Sequence, residues 1–193
     1  MQEYRVNKKR TALLTSRSSR YIMLHKVVDS ICSNVDEVYP SVLNFVDVDK
    51  AFDCHIAGRL DADTTGLVLI TDDGRWSHNV ISPKKECPKT YRVWLRNEIS
   101  DDKSVALIEQ FTQGIQLQGE DSLTRPAKLV LITPDEVLLT ITEGKYHQVK
   151  RMFAAVGNKV VGLHREQIGQ LELGDLPEGE WRYLSSEEVA YFK

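Results

Sequence analysis

Apolar residues along this chain fall into short runs separated by clusters of Gly, Pro, Asp and Ser. Tyr21-Ile22-Met23-Leu24 predicts a first strand. Residues 40–46 predict a short helix with Val42, Leu43 and Val46 on one face. Leu67-Val68-Leu69-Ile70 is uninterrupted and predicts a buried strand over 67–71, ended by the turn residues Asp72-Asp73-Gly74. A short helix over 75–81 is stopped by Ser82-Pro83, and residues 89–95 alternate as a strand. Ser100 is placed to cap a helix from Asp101 to Gln113 that ends at Gly114. Its expected core stripe is Val105, Ile108 and Phe111, with Leu107 beside it. The β-branched runs 128–132 and 137–142 flank Thr133-Pro134-Asp135-Glu136 and predict an antiparallel hairpin.

Glu143-Gly144 then breaks to a helix over 146–156, stopped by Gly157. Short strands follow at 160–164 and 170–173, and Ser185-Ser186-Glu187-Glu188 has the form of a final helix start. Strands outnumber helices and are joined largely by hairpins. The expected class is α+β, a mixed, mainly antiparallel β-sheet flanked by helices. The crossovers of a doubly wound fold are missing. No Gly-rich loop has phosphate-cradle spacing, so no nucleotide cofactor is expected.

Periodicity also sorts the charged residues of the helix over 146–156. Val149, Met152, Phe153 and Val156 make the core stripe. At ~100° per residue, Lys150 projects roughly 110° from the stripe's centre and Arg151 roughly 150°. Lys150 therefore stands at the edge of the buried face, where it either reaches a carboxylate in a cleft or snorkels to solvent. Arg151 points to solvent or to a phosphate.

Composition narrows the class. A hydrophobic fraction of 41% and a charged fraction of 27% belong to an ordinary water-soluble globular protein. No apolar run approaches the ~20 residues of a membrane span, and the charged start is no signal peptide. Cys32, Cys54 and Cys87 show no metal or redox spacing, which suits reduced thiols in the cytoplasm. His25, His55, His78, His147 and His164 have no ligand spacing, so no metal is expected.

The net charge of −3 argues against a simple nucleic-acid coat, but its distribution is uneven. Residues 1–20 carry +5, residues 84–96 carry +4 and residues 145–165 carry +5, whereas residues 167–193 carry −4. Basic segments apart in sequence can meet on one face and hold phosphates, or can simply be solvated surface. Residues 1–20 have little periodicity and are expected to form a basic arm ahead of a domain over 21–193.

The stretch Gly58-Arg59-Leu60-Asp61-Ala62-Asp63-Thr64-Thr65-Gly66-Leu67 crowds polar groups against the buried strand. Such groups are costly to desolvate and need a reason. Asp and Thr beside Gly serve as turn residues. Alternatively, Asp61 is a reagent held in its charged form by a nearby cation. Asp61 and Asp63, two apart, also have the makings of a glycosidase-like pair, although side chains that close seldom flank a scissile bond. Tyr91, among lysines, is either a core tyrosine or a ring that stacks on a base.

At these residues the chain resembles bacterial pseudouridine synthases of the type that modifies small-subunit ribosomal RNA, the RsuA type. The resemblance rests on residues 57–67, then Asp72-Asp73-Gly74-Arg75-Trp76-Ser77-His78, then Lys89-Thr90-Tyr91. It continues in Glu143-Gly144-Lys145-Tyr146-His147-Gln148-Val149-Lys150-Arg151-Met152-Phe153 and Leu163-His164-Arg165-Glu166-Gln167-Ile168-Gly169. These segments run in the family's order over about residues 21–185. The resemblance implies the pseudouridine synthase catalytic fold and isomerisation of a uridine of 16S ribosomal RNA, by the same likeness uridine 516. The substrate is free RNA or a partly assembled small subunit, and neither cofactor nor metal is required.

The likeness also assigns roles. Asp61 is the essential aspartate, Tyr91 stacks on the flipped uracil, and Lys150 pairs with Asp61. Arg59, Lys89, His147, Arg151 and Arg165 are placed against RNA. Two departures stand out. Family members usually begin with an S4-type RNA-binding module, for which residues 1–20 are too short, and the family's Lys-Pro is Lys26-Val27 here. The alternative is a non-catalytic protein that binds ribosomal RNA during assembly. A monomer is expected.

Overall fold

The computed structural model describes residues 18–193, so the basic arm expected over 1–20 lies almost wholly outside the described residues. The strands are β1 Tyr21–Lys26, β2 His55–Ala57, β3 Thr65–Thr71, β4 Lys89–Leu95, β5 Lys128–Thr133, β6 Glu136–Ile141, β7 Val160–Ile168, β8 Leu171–Glu172 and β9 Trp181–Tyr183. The helices are α1 Gly74–Ile81, α2 Asp101–Gln113, α3 Gln148–Ala155 and α4 Ser186–Ala190. Residues Val42–Phe45 form a single 3₁₀ turn where the short first helix was expected, and Val42, Leu43 and Val46 are buried as the pattern required.

One sheet in the order β5-β6-β4-β7-β3-β1-β9 organises the chain, with β2 added beside β3 and β8 beside β7. Every pairing is antiparallel except β3 with β7, which run parallel through Thr65↔His164 and Gly66↔Arg165. The mixed, mainly antiparallel sheet flanked by helices is thus the observed architecture. The short strands β2 and β9 were not apparent in the sequence, because three residues carry too little alternation to register.

Both faces of β1 and β3 are covered. Ile22, Leu24, Val68 and Ile70 enter the larger core with Val93, Val137, Leu139, Phe111, Met152 and Phe153. Met23, Leu67 and Leu69 enter a second core with Trp76, Val80, Ile168 and Phe192. A strand buried on both faces needs apolar residues at successive positions, which explains the unbroken run at 67–70. Against the second core, α1 is started by Asp73, whose carboxylate accepts from the Trp76 N–H at 3.1 Å.

Two sequence expectations fail locally. Val105 is 72% exposed, and α2 instead packs through Leu107, Ile108 and Phe111, a narrower stripe set by the single sheet edge it covers. The helix expected from residue 146 begins at Gln148, because His147 is left-handed with φ 49°. The turn before it is set by buried side chains. Gln148 Oε1 accepts from the Lys145 N–H at 3.0 Å, and Gln148 Nε2 donates to Glu143 Oε2 at 3.1 Å. No helix of the described residues is long and apolar enough to cross a membrane.

The parallel contact brings two backbones unusually close. Gly66 has φ 114°, and a Cβ there would lie 2.2 Å from the Arg165 carbonyl oxygen and 2.6 Å from its nitrogen. Gly66→Ala is therefore expected to cost more than about 3 kcal/mol in urea unfolding. A loss within about 1 kcal/mol would contradict this approach of β3 to β7.

Candidate active site

The loop between β2 and β3 carries Asp61, and two buried cations fix its course. Lys26, the last residue of β1, is 1% exposed. Its ammonium donates to the carbonyls of Thr64 at 2.8 Å, Val27 at 3.0 Å and Ala62 at 3.3 Å. Arg165 of β7 is also 1% exposed, and its guanidinium donates to Leu67 O at 2.9 Å and Gly58 O at 3.0 Å. The loop is further held where the Leu60 N–H meets Cys32 Sγ at 3.3 Å and the Asp29 N–H meets Ala62 O at 2.9 Å. Burial pulls the Lys26 ammonium below the ordinary lysine value, and the carboxylates of Asp63 and Asp61 pull it back up.

Held this way, the loop presents Asp61 to α3. Asp61 Oδ2 lies 3.2 Å from His147 Nε2 and 3.6 Å from Lys150 Nζ, with the side chain 42% exposed. Lys150 is shared. Its ammonium donates to both oxygens of Asp63 at 2.9 Å, closer than it stands to Asp61. The expected Lys150–Asp61 pair is therefore a triad in which Asp63 anchors the lysine and Asp61 shares its field. Burial alone would raise the Asp63 carboxyl, but the Lys150 ammonium outweighs it and holds Asp63 below the usual carboxylate range. Asp63, expected only to shape the turn, is thus the group that positions Lys150.

Asp61, His147 and Lys150 line a cleft of about 120 Å³ together with Arg59 and Tyr91, with Ile141 and Leu163 as an apolar wall. Tyr91 on β4 packs into the larger core, and its hydroxyl has no hydrogen-bond partner among the described residues. Arg59, exposed at the rim, makes no hydrogen bond or ion pair among the described residues.

The other cations expected against RNA are employed within the protein. Arg165 is buried, with its guanidinium on the carbonyls of Gly58 and Leu67. Arg151 donates to Tyr146 O at 2.9 Å and Gln118 O at 2.8 Å and stands 3.4 Å from Glu120 Oε1. Its outward direction on the helix is filled by the segment after α2, which the periodicity of α3 alone could not reveal. Lys89 donates to Cys87 O at 3.3 Å and does not line the cleft. His147 lies against Asp61. Lys26 was the residue missed as a loop-holding group; a lysine closing a buried apolar strand was the available signal. Among the described residues, no three His, Cys, Asp or Glu side chains converge as a metal site.

Comparison with known proteins identifies the family and the fold. The family model described as RNA pseudouridylate synthase matches residues 20–155. Over 178 residues the chain is 58% identical to the ribosomal small subunit pseudouridine synthase A of Vibrio cholerae serotype O1, covering 92% of this chain and 75% of that protein. Its counterpart in Escherichia coli K12 is 54% identical over 179 residues, at 92% and 76% coverage. A crystal structure of a pseudouridylate synthase superposes with a TM-score of 0.84 at 50% identity, covering 91% of this chain and 74% of that one. An archaeal box H/ACA Nop10–Cbf5 complex shares the fold alone, at a TM-score of 0.55 and 15% identity.

The assignment of Arg165 as a clamp is open to a direct check. Arg165→Met removes the guanidinium donor from the carbonyls of Gly58 in the loop and Leu67 in β3 and is expected to lower urea stability by about 1–3 kcal/mol. A surface phosphate ligand replaced in the same way would leave stability within about 0.5 kcal/mol, and that result would return Arg165 to the RNA-binding set.

Proposed function

The chain belongs to the RNA pseudouridylate synthase family, and we propose that it isomerises a specific uridine of 16S ribosomal RNA, uridine 516, to pseudouridine. The observation that carries this reading is the convergence of Asp61, Tyr91, Lys150 and Arg59 on one cleft, brought from three separate segments: the β2–β3 loop, β4 and α3. Residues 21–193 form the catalytic unit. The name shared by the relatives at 54–58% identity supports small-subunit RNA as the substrate, alone or in a partly assembled subunit. The protein acts in the bacterial cytoplasm as a monomer.

The reaction breaks the N1–C1′ bond, turns the uracil and joins C5 to C1′. C5 gives up a proton and N1 takes one, so atoms and charge balance without a cofactor. A base inside a helix cannot present its glycosidic carbon, so the uridine must first leave the stack, at a cost of a few kcal/mol. Arg59, at the rim and without a hydrogen bond or ion pair among the described residues, is suited to hold the distorted phosphodiester. Tyr91, fixed in the core and lining the cleft, offers its ring to the extruded uracil. Asp61 is the group that acts on the nucleotide. Its carboxylate is set against the Lys150 ammonium, which Asp63 keeps from swinging away, and against His147.

Incubation with small-subunit RNA or early assembly particles, followed by chemical mapping of pseudouridine, tests this reading. The wild-type protein is expected to introduce one new pseudouridine, and Asp61→Asn to slow its formation by at least about a thousandfold. Undiminished product from Asp61→Asn, or none from the wild type, would overturn the proposal. The second result would favour a non-catalytic assembly role.

A further inference from the structure

Tyr146 has no part in the chemistry above, yet its ring is 76% exposed beside the cleft. A lone exposed tyrosine is ordinary, but this one is built into its position. Its ring stacks on the imidazole of His147, with centroids 3.8 Å apart and planes inclined by 22°. With one face so covered, most of the exposed area belongs to the opposite face. His147 in turn stands 3.2 Å from Asp61, so the stack runs from the cleft outward to its rim. The backbone beneath is clamped. Arg151 donates to Tyr146 O and to Gln118 O, and Gln148 holds the Lys145 N–H. His147 sits at φ 49°, a conformation that surrounding contacts must maintain.

We propose that Tyr146 is a stacking platform for a nucleobase of the RNA, the one adjacent to the uridine that enters the cleft. The proposal rests on the reading of the cleft as a pseudouridine synthase site. Extruding a uridine leaves its neighbour without a stacking partner. A rigid aromatic ring at the rim restores that partner, with little ordering still to be lost on binding. The occupant is a base rather than a phosphate because the ring is uncharged and offers a flat face. It is nucleic acid rather than an apolar protein surface because the cleft beside the ring is lined by the guanidinium of Arg59, which makes no hydrogen bond or ion pair among the described residues.

The test uses the small-subunit RNA fragment that contains the uridine modified by the wild-type protein. Tyr146→Ala is expected to raise KM about tenfold while kcat falls by less than about threefold. Tyr146→Phe and Tyr146→Trp, which keep the ring, are expected to restore KM to within about twofold of wild type. Two further RNAs carry an abasic nucleotide immediately 5′ or 3′ of the target. One of them should raise the wild-type KM by a similar factor, and Tyr146→Ala should add nothing on that RNA, because the stacking partner is already gone.

A Tyr146→Ala KM within about twofold of wild type would overturn the platform. So would a loss that phenylalanine fails to rescue, or abasic and alanine effects that multiply on both RNAs. If the wild-type protein forms pseudouridine and these results are negative, the platform alone fails. If it forms none, the underlying reading fails and the platform with it.

Discussion

The course of the loop that carries Asp61 depends on two buried cations. Lys26 donates to Ala62 and Thr64 of that loop, and Arg165 donates to Gly58 of the loop and to Leu67 of β3. Taking an ammonium or guanidinium out of water is costly, and only well-placed hydrogen bonds and facing negative charge make it tolerable. That cost is also what makes the clamp specific. If the loop moved, these cations would be left without acceptors, so the loop has one favourable course. Lys26 comes from the end of β1 and Arg165 from β7, the strands that flank β3 on its two sides. The sheet's own register therefore sets where the carboxylate stands.

The same economy governs the rest of the charge. Segments that look basic in sequence do not all become an RNA-binding surface. Arg165 and Arg151 tie backbone segments together, Lys89 caps a local carbonyl, and Lys150 is committed to two aspartates. Arg59 is the cation lining the cleft that keeps its guanidinium unengaged among the described residues. A protein with a net charge of −3 can thus handle RNA through a few placed groups rather than through a general positive field.

Much of this was legible in the sequence. The runs at 67–70, 89–95, 128–132 and 137–142 predicted strands close to those observed, and the periodicity over 146–156 predicted a helix with Lys150 at the edge of its buried face. What escaped was set by tertiary context. Val105 fits a helical stripe, yet α2 covers only one sheet edge, so the stripe's far side stays in water. His147 fits a helix, yet the buried Gln148–Glu143 pair turns the chain one residue later. Arg151 pointed outward as periodicity required, but the loop after α2 occupies that direction. The role of Asp63 in holding Lys150 escapes the sequence because no local pattern shows which of two neighbouring carboxylates a lysine 87 positions away approaches more closely.

The most direct test follows the hydrogen on C5. Small-subunit RNA with tritium at C5 of its uridines is incubated with the protein, and tritium in water and free uracil are both measured. Isomerisation replaces the C5–H bond with C5–C1′, so the account predicts one tritium released per modified RNA and no free uracil. Free uracil without tritium release would make the cleft a hydrolase and contradict the account, as would intact RNA that keeps all of its label.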